Sequence, residues 1–303
     1  MSVTGRLLVL FALCSVCYGN LSGFGYELLS ARLNSMEAIE SDLLTFTNDT
    51  VRQLSKMVDL LMKLQVNPSG TGARIAGSSA ALVPLAASCH DIPSRSSGIY
   101  QIDPEHPFRE PMTVLCDQQY EGGGWTVIQR RIDGSVDFFR DWQEYKRGFG
   151  TLHGEFWLGL EHIYRLTNVA PHELVVLLED FDGAKAQARY NRFRIGAESL
   201  NYALLELGTC VSCSAGDAMR IHLNESFSTF DRDKSKAAFN CGAVFKGAWW
   251  FYKCHRSHLN GVYLKGKLTE AQDSQGIMWM DFRGDKYSLK SSKMMIRPLR
   301  TNK

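Results

Sequence analysis

Cysteine and histidine are the residue types in this chain whose spacing could support chemistry. Cys210 and Cys213 form a CxxC pair, and His255 directly follows Cys254. A reduced CxxC pair is typical of a redox centre or of half a zinc site, and a thiolate beside an imidazole could act as a nucleophile. Beyond residues 1–19, which contain Cys14 and Cys17, the sequence has no second CxxC and no His-containing spacing that would complete a zinc set. A disulfide that closes a local loop is the favoured interpretation of the CxxC pair.

Motifs of the common enzyme classes are also missing from the sequence. Pro171-His172-Glu173 lacks the second His of an HExxH zinc site, and there is no GxSxG elbow, P-loop or helix-opening GxGxxG. The acidic residues 179–182 follow an apolar strand, as in a solvated turn. We expect a binding protein that is not an enzyme.

Residues 1–19 have the pattern of a signal peptide. Arg6 precedes an apolar run from Leu7 to Val16, and small residues occupy the cleavage positions before Asn20. The run is shorter than the ~20 apolar residues that a membrane span needs. We therefore expect a secreted, extracellular protein with no membrane span. In that oxidising environment the six cysteines beyond the leader are expected in disulfides: Cys89, Cys116, Cys210, Cys213, Cys241 and Cys254.

Residues 20–66 are predicted to form a coiled-coil helix that makes the protein a homo-oligomer. The alternative is a helix that folds back onto its own globular domain. Residues 67–87 are rich in Gly, Ala and Ser and are expected to form a flexible linker. The apolar residues of the coiled coil follow the three- and four-residue spacing of a heptad seam: Leu29, Leu33, Met36, Leu43, Leu54, Met57, Leu61 and Leu64.

Residues 88–303 are predicted to form one recognition domain of the α+β class with a mainly antiparallel sheet. Glycine turns such as Asp133-Gly134 separate short β-prone runs. The formal net charge of +2 gives no sign of a basic stripe, so no nucleic-acid partner is expected. Three sequons mark candidate N-glycosylation sites at Asn20, Asn48 and Asn224.

Six segments of this domain are distinctive: GGGWTVIQRRIDGSVDFFRDW, GEFWLGLE, SFSTFDRD, KGAWWF, CHRSHLNGVY and MMIRP. In this order they resemble the fibrinogen-related C-terminal domain of fibrinogen chains, ficolins, tachylectins, tenascins and angiopoietins. The resemblance covers about residues 88–300. It implies a fibrinogen C-terminal-like fold with the disulfides Cys89–Cys116 and Cys241–Cys254. Cys210 and Cys213 lie outside that pattern and would pair with each other or with another polypeptide.

The resemblance also implies a calcium site in the loop before Cys241. The matching positions hold Asp233 and Ser235, with Ala237 and Phe239 as main-chain carbonyl donors. Ser235 stands where the family usually has Asp, and the loss of one carboxylate should weaken calcium binding. The alternative is a solvated polar loop without an ion.

The family's ligand pocket implies Phe245, Cys254, His255 and Asp285 as ligand-binding residues. In the acetyl-binding lectins the bond between the Cys and the His of the CH motif is cis, which here would be Cys254–His255, and its amide would bind a ligand carbonyl. Phe245 stands where those lectins carry a Tyr, and Asp285 stands where a Trp is often found. Trp279 is expected in the core.

The expected function is that of a secreted oligomeric recognition protein that binds carbohydrate or microbial surface ligands, as a lectin of innate immunity does. The alternative is an extracellular signalling or matrix protein whose fibrinogen-like domain binds a cell-surface receptor. The changed residues Phe245, Asp285 and Ser235 weaken the acetyl-lectin hypothesis without positively supporting a receptor.

Overall fold

The computed structural model of the protein describes residues 85–299. The predicted signal peptide (1–19), the predicted coiled coil (20–66), most of the predicted linker (67–87) and the sequons at Asn20 and Asn48 lie outside the described residues.

Within residues 85–299 the protein forms fourteen strands and four short α-helices. The helices are α1 (Trp142–Arg147), α2 (Leu160–Val169), α3 (Cys241–Val244) and α4 (Met280–Arg283). None of the described helices is long and apolar enough to cross a membrane. The strands are β1 (Gly98–Ile102), β2 (Met112–Asp117), β3 (Trp125–Arg131), β4 (Phe149–Gly150), β5 (Phe156–Trp157), β6 (His172–Glu179), β7 (Lys185–Ile195), β8 (Leu204–Leu207), β9 (Cys210–Cys213), β10 (Ser257–His258), β11 (Gly266–Lys267), β12 (Met278–Trp279), β13 (Tyr287–Ser288) and β14 (Ser291–Pro298).

The main sheet is antiparallel and has the strand order β1-β2-β3-β14-β6-β7-β8. Its central strand, β14, is the last in the sequence and pairs with β3 on one side and with β6 on the other. The MMIRP segment therefore lies at the centre of the sheet, between β3 and β6. This architecture confirms the prediction of an α+β domain with mainly antiparallel pairing.

The core is rich in aromatic side chains, and several of their polar atoms donate to backbone carbonyls. Trp157, Trp250 and Trp279 are fully buried, as expected for Trp279. The indole Nε1 of Trp157 donates to the Tyr145 carbonyl at 3.0 Å, and that of Trp279 donates to the Ala215 carbonyl at 2.9 Å. A buried indole without an acceptor would lose its hydrogen bond to water, so these bonds select the position of each ring.

The cysteines of the described region form three pairs: Cys89–Cys116, Cys241–Cys254 and Cys210–Cys213. The first two are the pairs that the family resemblance implies. In the third, the two cysteines lie three residues apart on β9, and regular strand alternation would place them on opposite faces. The pairing of β9 with β7 shifts register at this point, and an extra residue restores a common face.

A buried ion pair connects β3 and β5 to the C-terminal part of the domain. The Glu155 carboxylate is fully buried and accepts hydrogen bonds from the main-chain amides of Ile132, Asp133, Gly134 and Val136 at 2.7–3.1 Å. The Arg131 guanidinium lies 3.6 Å from this carboxylate.

Arg131 extends this hydrogen-bond network to the segment that contains Leu259 and Gly261. Its guanidinium stacks 3.8 Å from the centre of the Phe138 ring and donates to the Leu259 and Gly261 carbonyls at 3.2 and 2.7 Å. Gly134 has φ +78°, and a Cβ atom there would lie 2.8 Å from the Tyr263 ring, so the predicted Asp-Gly turn requires glycine. The turn and the buried pair therefore depend on one another.

Three buried histidines form a second polar element in the core. His222 Nδ1 lies 2.7 Å from the Trp250 carbonyl, and its Nε2 accepts from the Arg256 and Ser257 amides, both at 3.3 Å. These partners require a neutral ring with the proton on Nδ1. The His255 and His258 rings lie 5.0 Å apart, and neither ring has a hydrogen-bond partner among the described residues. Burial lowers the pKa of His222 to about 4 and that of His255 to about 3, and also lowers the pKa of His258.

Replacing Glu155 by Gln should destabilise the domain by about 3–5 kcal/mol, because the buried Arg131 charge would lose its partner. The measurement is the free energy of unfolding from urea titrations. Glu206→Gln is the matched control, since Glu206 pairs with Arg194 at 2.7 Å but is 42% exposed. The control should change stability by at most ~1 kcal/mol. Equal effects of the two substitutions would contradict a special role for Glu155.

Acidification should destabilise the domain through the three histidines. Their pKa values are lower in the folded state than the ordinary value of 6.5, so the unfolded polypeptide takes up the protons first as the pH falls. The histidine contribution to stability is present above about pH 6.5 and is lost progressively down to about pH 3, by about 2 kcal/mol for each of His222 and His255 between pH 7 and pH 5, with a further loss from His258. Urea titrations at both pH values measure this loss. His258→Leu should remove one histidine's share, and an unchanged pH dependence in that variant would rule out His258 as a contributor.

Candidate functional site

The disulfide Cys241–Cys254 brings most of the predicted ligand residues together. Phe245 ends the short helix α3, and its ring meets the His255 ring edge-on at 4.6 Å between centres. The Phe239 ring lies 6.4 Å from that of Phe245. Because the disulfide joins the start of α3 to the residue before His255, one covalent link holds the two halves of this group.

Asp285 lies between α4 and β13. Its main-chain carbonyl accepts a hydrogen bond from the Ser274 amide at 3.3 Å. The ring contacts described above join Phe239, Phe245 and His255 without it.

The predicted position of the cis peptide bond is wrong by one residue. The non-proline cis bond is Lys253–Cys254, not Cys254–His255. It lies within a tight turn in which the Tyr252 amide donates to the Cys254 carbonyl at 2.8 Å. The turn ends at the disulfide cysteine Cys254, and His255 follows it in an ordinary trans linkage.

The predicted calcium loop supplies a single carboxylate. Asp233 is exposed, and its Oδ1 accepts from the Ser235 amide at 2.9 Å. Ser235 Oγ is buried and has no hydrogen-bond partner among the described residues, so this neutral oxygen could face an ion. Calcium is held by several hard oxygens and more tightly as the number of charged ligands rises. With carbonyls from Ala237 and Phe239, the set fits weak calcium binding only.

Protein contacts hold the same loop without an ion. Lys236 Nζ lies 2.7 Å from the carboxylate of Glu225, which is 7% exposed, and the Lys236 amide donates to the Tyr252 carbonyl at 2.8 Å. The Lys234 amide donates to Ser228 Oγ at 2.9 Å. These contacts anchor the loop at two lysines, one on each side of Ser235.

Two pairs of exposed or half-buried rings, together with Val244, lie on this loop and on the segments bonded to it, and we call them the aromatic surface. Its members are Phe139, Phe230, Phe239, Val244 and the half-buried Phe245; Phe239 is 51% and Val244 is 45% exposed. The rings of Phe139 and Phe230 lie 4.8 Å apart. Large exposed aromatic groups that lie close together are typical of protein-binding surfaces.

The aromatic surface depends on two close contacts beneath it. Gly242 of α3 packs on the 229–230 turn, where a Cβ atom would lie 2.8 Å from the Thr229 carbonyl carbon. The Asp231 carboxylate accepts from the Trp142 amide at 3.0 Å, which ties the segment carrying Phe139 to the segment carrying Phe230. Sequence analysis did not identify Phe139, Phe230 and Val244, because an apolar residue in a loop can lie in the core or on the surface.

Residues 87–299 match the family described as fibrinogen beta and gamma chains, C-terminal globular domain. The protein is also similar to Angiopoietin-related protein 6 of Homo sapiens, with 47% identity over 204 residues, which are 67% of this sequence and 42% of that protein. It therefore spans less than half the length of this curated relative.

Solved structures show the same similarity. The fibrinogen-like globe domain of human ANGPTL6 matches with a TM-score of 0.67 and 44% identity, over 71% of this protein and 96% of that one. Lamprey fibrin D-dimer, complexed with the peptide ligand Gly-His-Arg-Pro-amide, matches with a TM-score of 0.66 and 29% identity, over 92% of this protein and 94% of that one. The protein belongs to the family defined by the C-terminal globular domain of fibrinogen beta and gamma chains.

Proposed function

We propose that this protein is an extracellular signalling or matrix protein whose fibrinogen-like domain binds a cell-surface receptor. The observation that carries the proposal is the aromatic surface, since Phe139, Phe230, Phe239, Val244 and Phe245 are held on a disulfide-linked scaffold yet remain in contact with solvent. Exposed rings on a rigid support lose little entropy when a protein partner covers them.

The similarity to angiopoietin-related proteins favours this proposal over the carbohydrate-binding hypothesis. The residues at the predicted ligand pocket also favour a protein partner over a sugar. Phe245 faces His255 without the hydroxyl that a Tyr would supply, and Asp285 belongs to another segment of the domain. The resulting surface has few polar atoms to orient a sugar but offers apolar area to a protein.

Three further properties belong to the proposal. The protein is secreted, supported by the leader-like residues 1–19 and by three disulfides in the described region. It forms homo-oligomers through residues 20–66, so that several weak contacts combine into avidity. It acts by binding and not by catalysis, and any calcium bound at Asp233, Ser235, Ala237 and Phe239 is held weakly.

Replacing Phe230 and Phe239 by Ala should weaken binding of the full-length protein to receptor-bearing cells at least tenfold, because buried aromatic anchors dominate such interfaces. Fluorescent protein and flow cytometry on adherent mammalian cells measure the binding. Phe108→Ala is the matched control, since Phe108 is 86% exposed and lies outside the aromatic surface. Chelation of calcium should leave binding nearly unchanged.

Two outcomes of that experiment would overturn the proposal. One is equal binding by the double variant and by the Phe108→Ala control. The other is competition by free N-acetylglucosamine combined with full binding to cells from which trypsin has removed surface proteins. The second outcome would establish a lectin in place of a receptor ligand.

Asn224 should carry an N-linked glycan on the secreted protein. It is exposed with φ +67°, two residues after the 3-10 turn Arg220–His222, and its main-chain amide donates to the Leu204 carbonyl at 2.7 Å. Asn224→Gln should lower the apparent mass of the secreted protein by the mass of one glycan. An amidase specific for N-glycans should then cause a mass shift that is smaller by one glycan than the shift of the unmodified sequence. Asn168→Gln is the control, since Asn168 is exposed but not in a sequon. Unchanged mobility of Asn224→Gln would show that the site is unmodified, and the same assay tests Asn20 and Asn48.

A further inference from the structure

A cleft of about 620 Å³ opens over one face of the central sheet. Alternate residues of a strand point to the same face, so two cross-strand rows line the cleft. One row contains Ser291, Glu179 and Lys185, and the other contains Lys293, Leu177 and Gln187. The volume is typical of ligand clefts, which are about 300–1,000 Å³.

The cleft carries more positive than negative charge. Four cationic side chains that line it are those of Arg130, Lys185, Lys290 and Lys293. Two carboxylates face them: Glu179 lies 2.6 Å from Lys290 Nζ and 3.9 Å from Lys185 Nζ, and Asp117 lies 2.8 Å from Lys293 Nζ. Four cations against two carboxylates leave a surplus of two positive charges in the cleft.

The ammonium group of Lys185 is the most accessible of these positive charges. Its side chain is 76% exposed, and it shares its single carboxylate partner with Lys290. Arg131 also lines the cleft but adds nothing to the surplus, because its charge is already paired with the buried Glu155. An ammonium group in this state can bind an external anion without first breaking a strong ion pair.

Neutral hydrogen-bonding groups lie beside these charges. The Tyr120 hydroxyl donates to Gln187 Oε1 at 2.6 Å, and Ser214 and Ser291 also line the cleft. Hydroxyl and amide groups match the hydroxyls of a sugar, whereas the lysines match sulfate or carboxylate groups. None of the residues that form the aromatic surface lines this cleft.

We propose that the cleft binds a sulfated polysaccharide of the glycosaminoglycan class, with the sulfates paired to Lys185 and Lys290. This site is separate from the aromatic surface and would hold the secreted protein near cell surfaces or matrix while that surface remains free. The proposal rests on charge complementarity, on the open sheet face and on the neutral hydrogen-bonding groups that line the cleft beside the lysines.

The test uses the full-length secreted protein and immobilised heparin as the probe. Lys185→Gln/Lys290→Gln should weaken binding about tenfold at physiological salt and reduce the slope of log affinity against log salt by about two, because two ion contacts are lost. Lys234→Gln/Lys253→Gln is the matched control, since both lysines are exposed and neither lines the cleft. The control should bind like the unmodified protein.

Equal losses in the two double variants, or no loss in either, would overturn the proposal. Competition by poly-glutamate as strong as that by heparin would also overturn it in favour of an acidic polypeptide ligand. Failure of desulfated heparin to compete would support it. Binding to cells whose glycosaminoglycans have been removed by enzymes distinguishes this site from the receptor site. On such cells the aromatic-surface variant should bind more weakly than the unmodified protein. The lysine variant should bind these cells as well as the unmodified protein does.

Discussion

The buried carboxylate of Glu155 is the interaction on which the rest of the domain depends. It satisfies four main-chain amides of the 132–136 turn and neutralises Arg131, which in turn binds the carbonyls of Leu259 and Gly261. A buried charge is tolerated only when paired and fully hydrogen-bonded. The network therefore fixes the relative positions of β3, the residues before β5 and the segment after β10. The surface loops attached to these segments are positioned by it.

The two proposed surfaces use this scaffold in different ways. The aromatic surface lies on loops and a four-residue helix, and it relies on Gly242, on the Asp231 carboxylate and on the Cys241–Cys254 disulfide for its shape. The basic cleft lies directly on the strands β14, β6 and β7, so its charges are spaced by sheet geometry. Loops can vary without disturbing the sheet, which is why a scaffold of this kind can keep one surface while changing the other.

The loop predicted to bind calcium is held by several contacts within the protein. Ser235 leaves one carboxylate in the predicted set, while Lys236 forms an ion pair with the largely buried Glu225 and a main-chain bond to Tyr252. A lysine can anchor a loop to a buried carboxylate in the way that a cation would, at the cost of fixing a long side chain. The loop that supports Phe239 is thus held by the protein's own residues.

The amino-acid sequence alone determined the fold class and the family, because motifs such as GEFWLGLE and CHRSHLNGVY record local requirements: a buried acid, an Asn-Gly turn and a disulfide cysteine. The family resemblance also implied that Phe245 and His255 lie in one pocket, next to the loop that contains Phe239. The sequence could not place Asp285, the cis bond at Lys253–Cys254, Phe139 and Phe230, or the lysines of the cleft. Those positions depend on which distant segments meet, and only tertiary packing decides whether a loop Phe is covered and whether two lysines share one carboxylate.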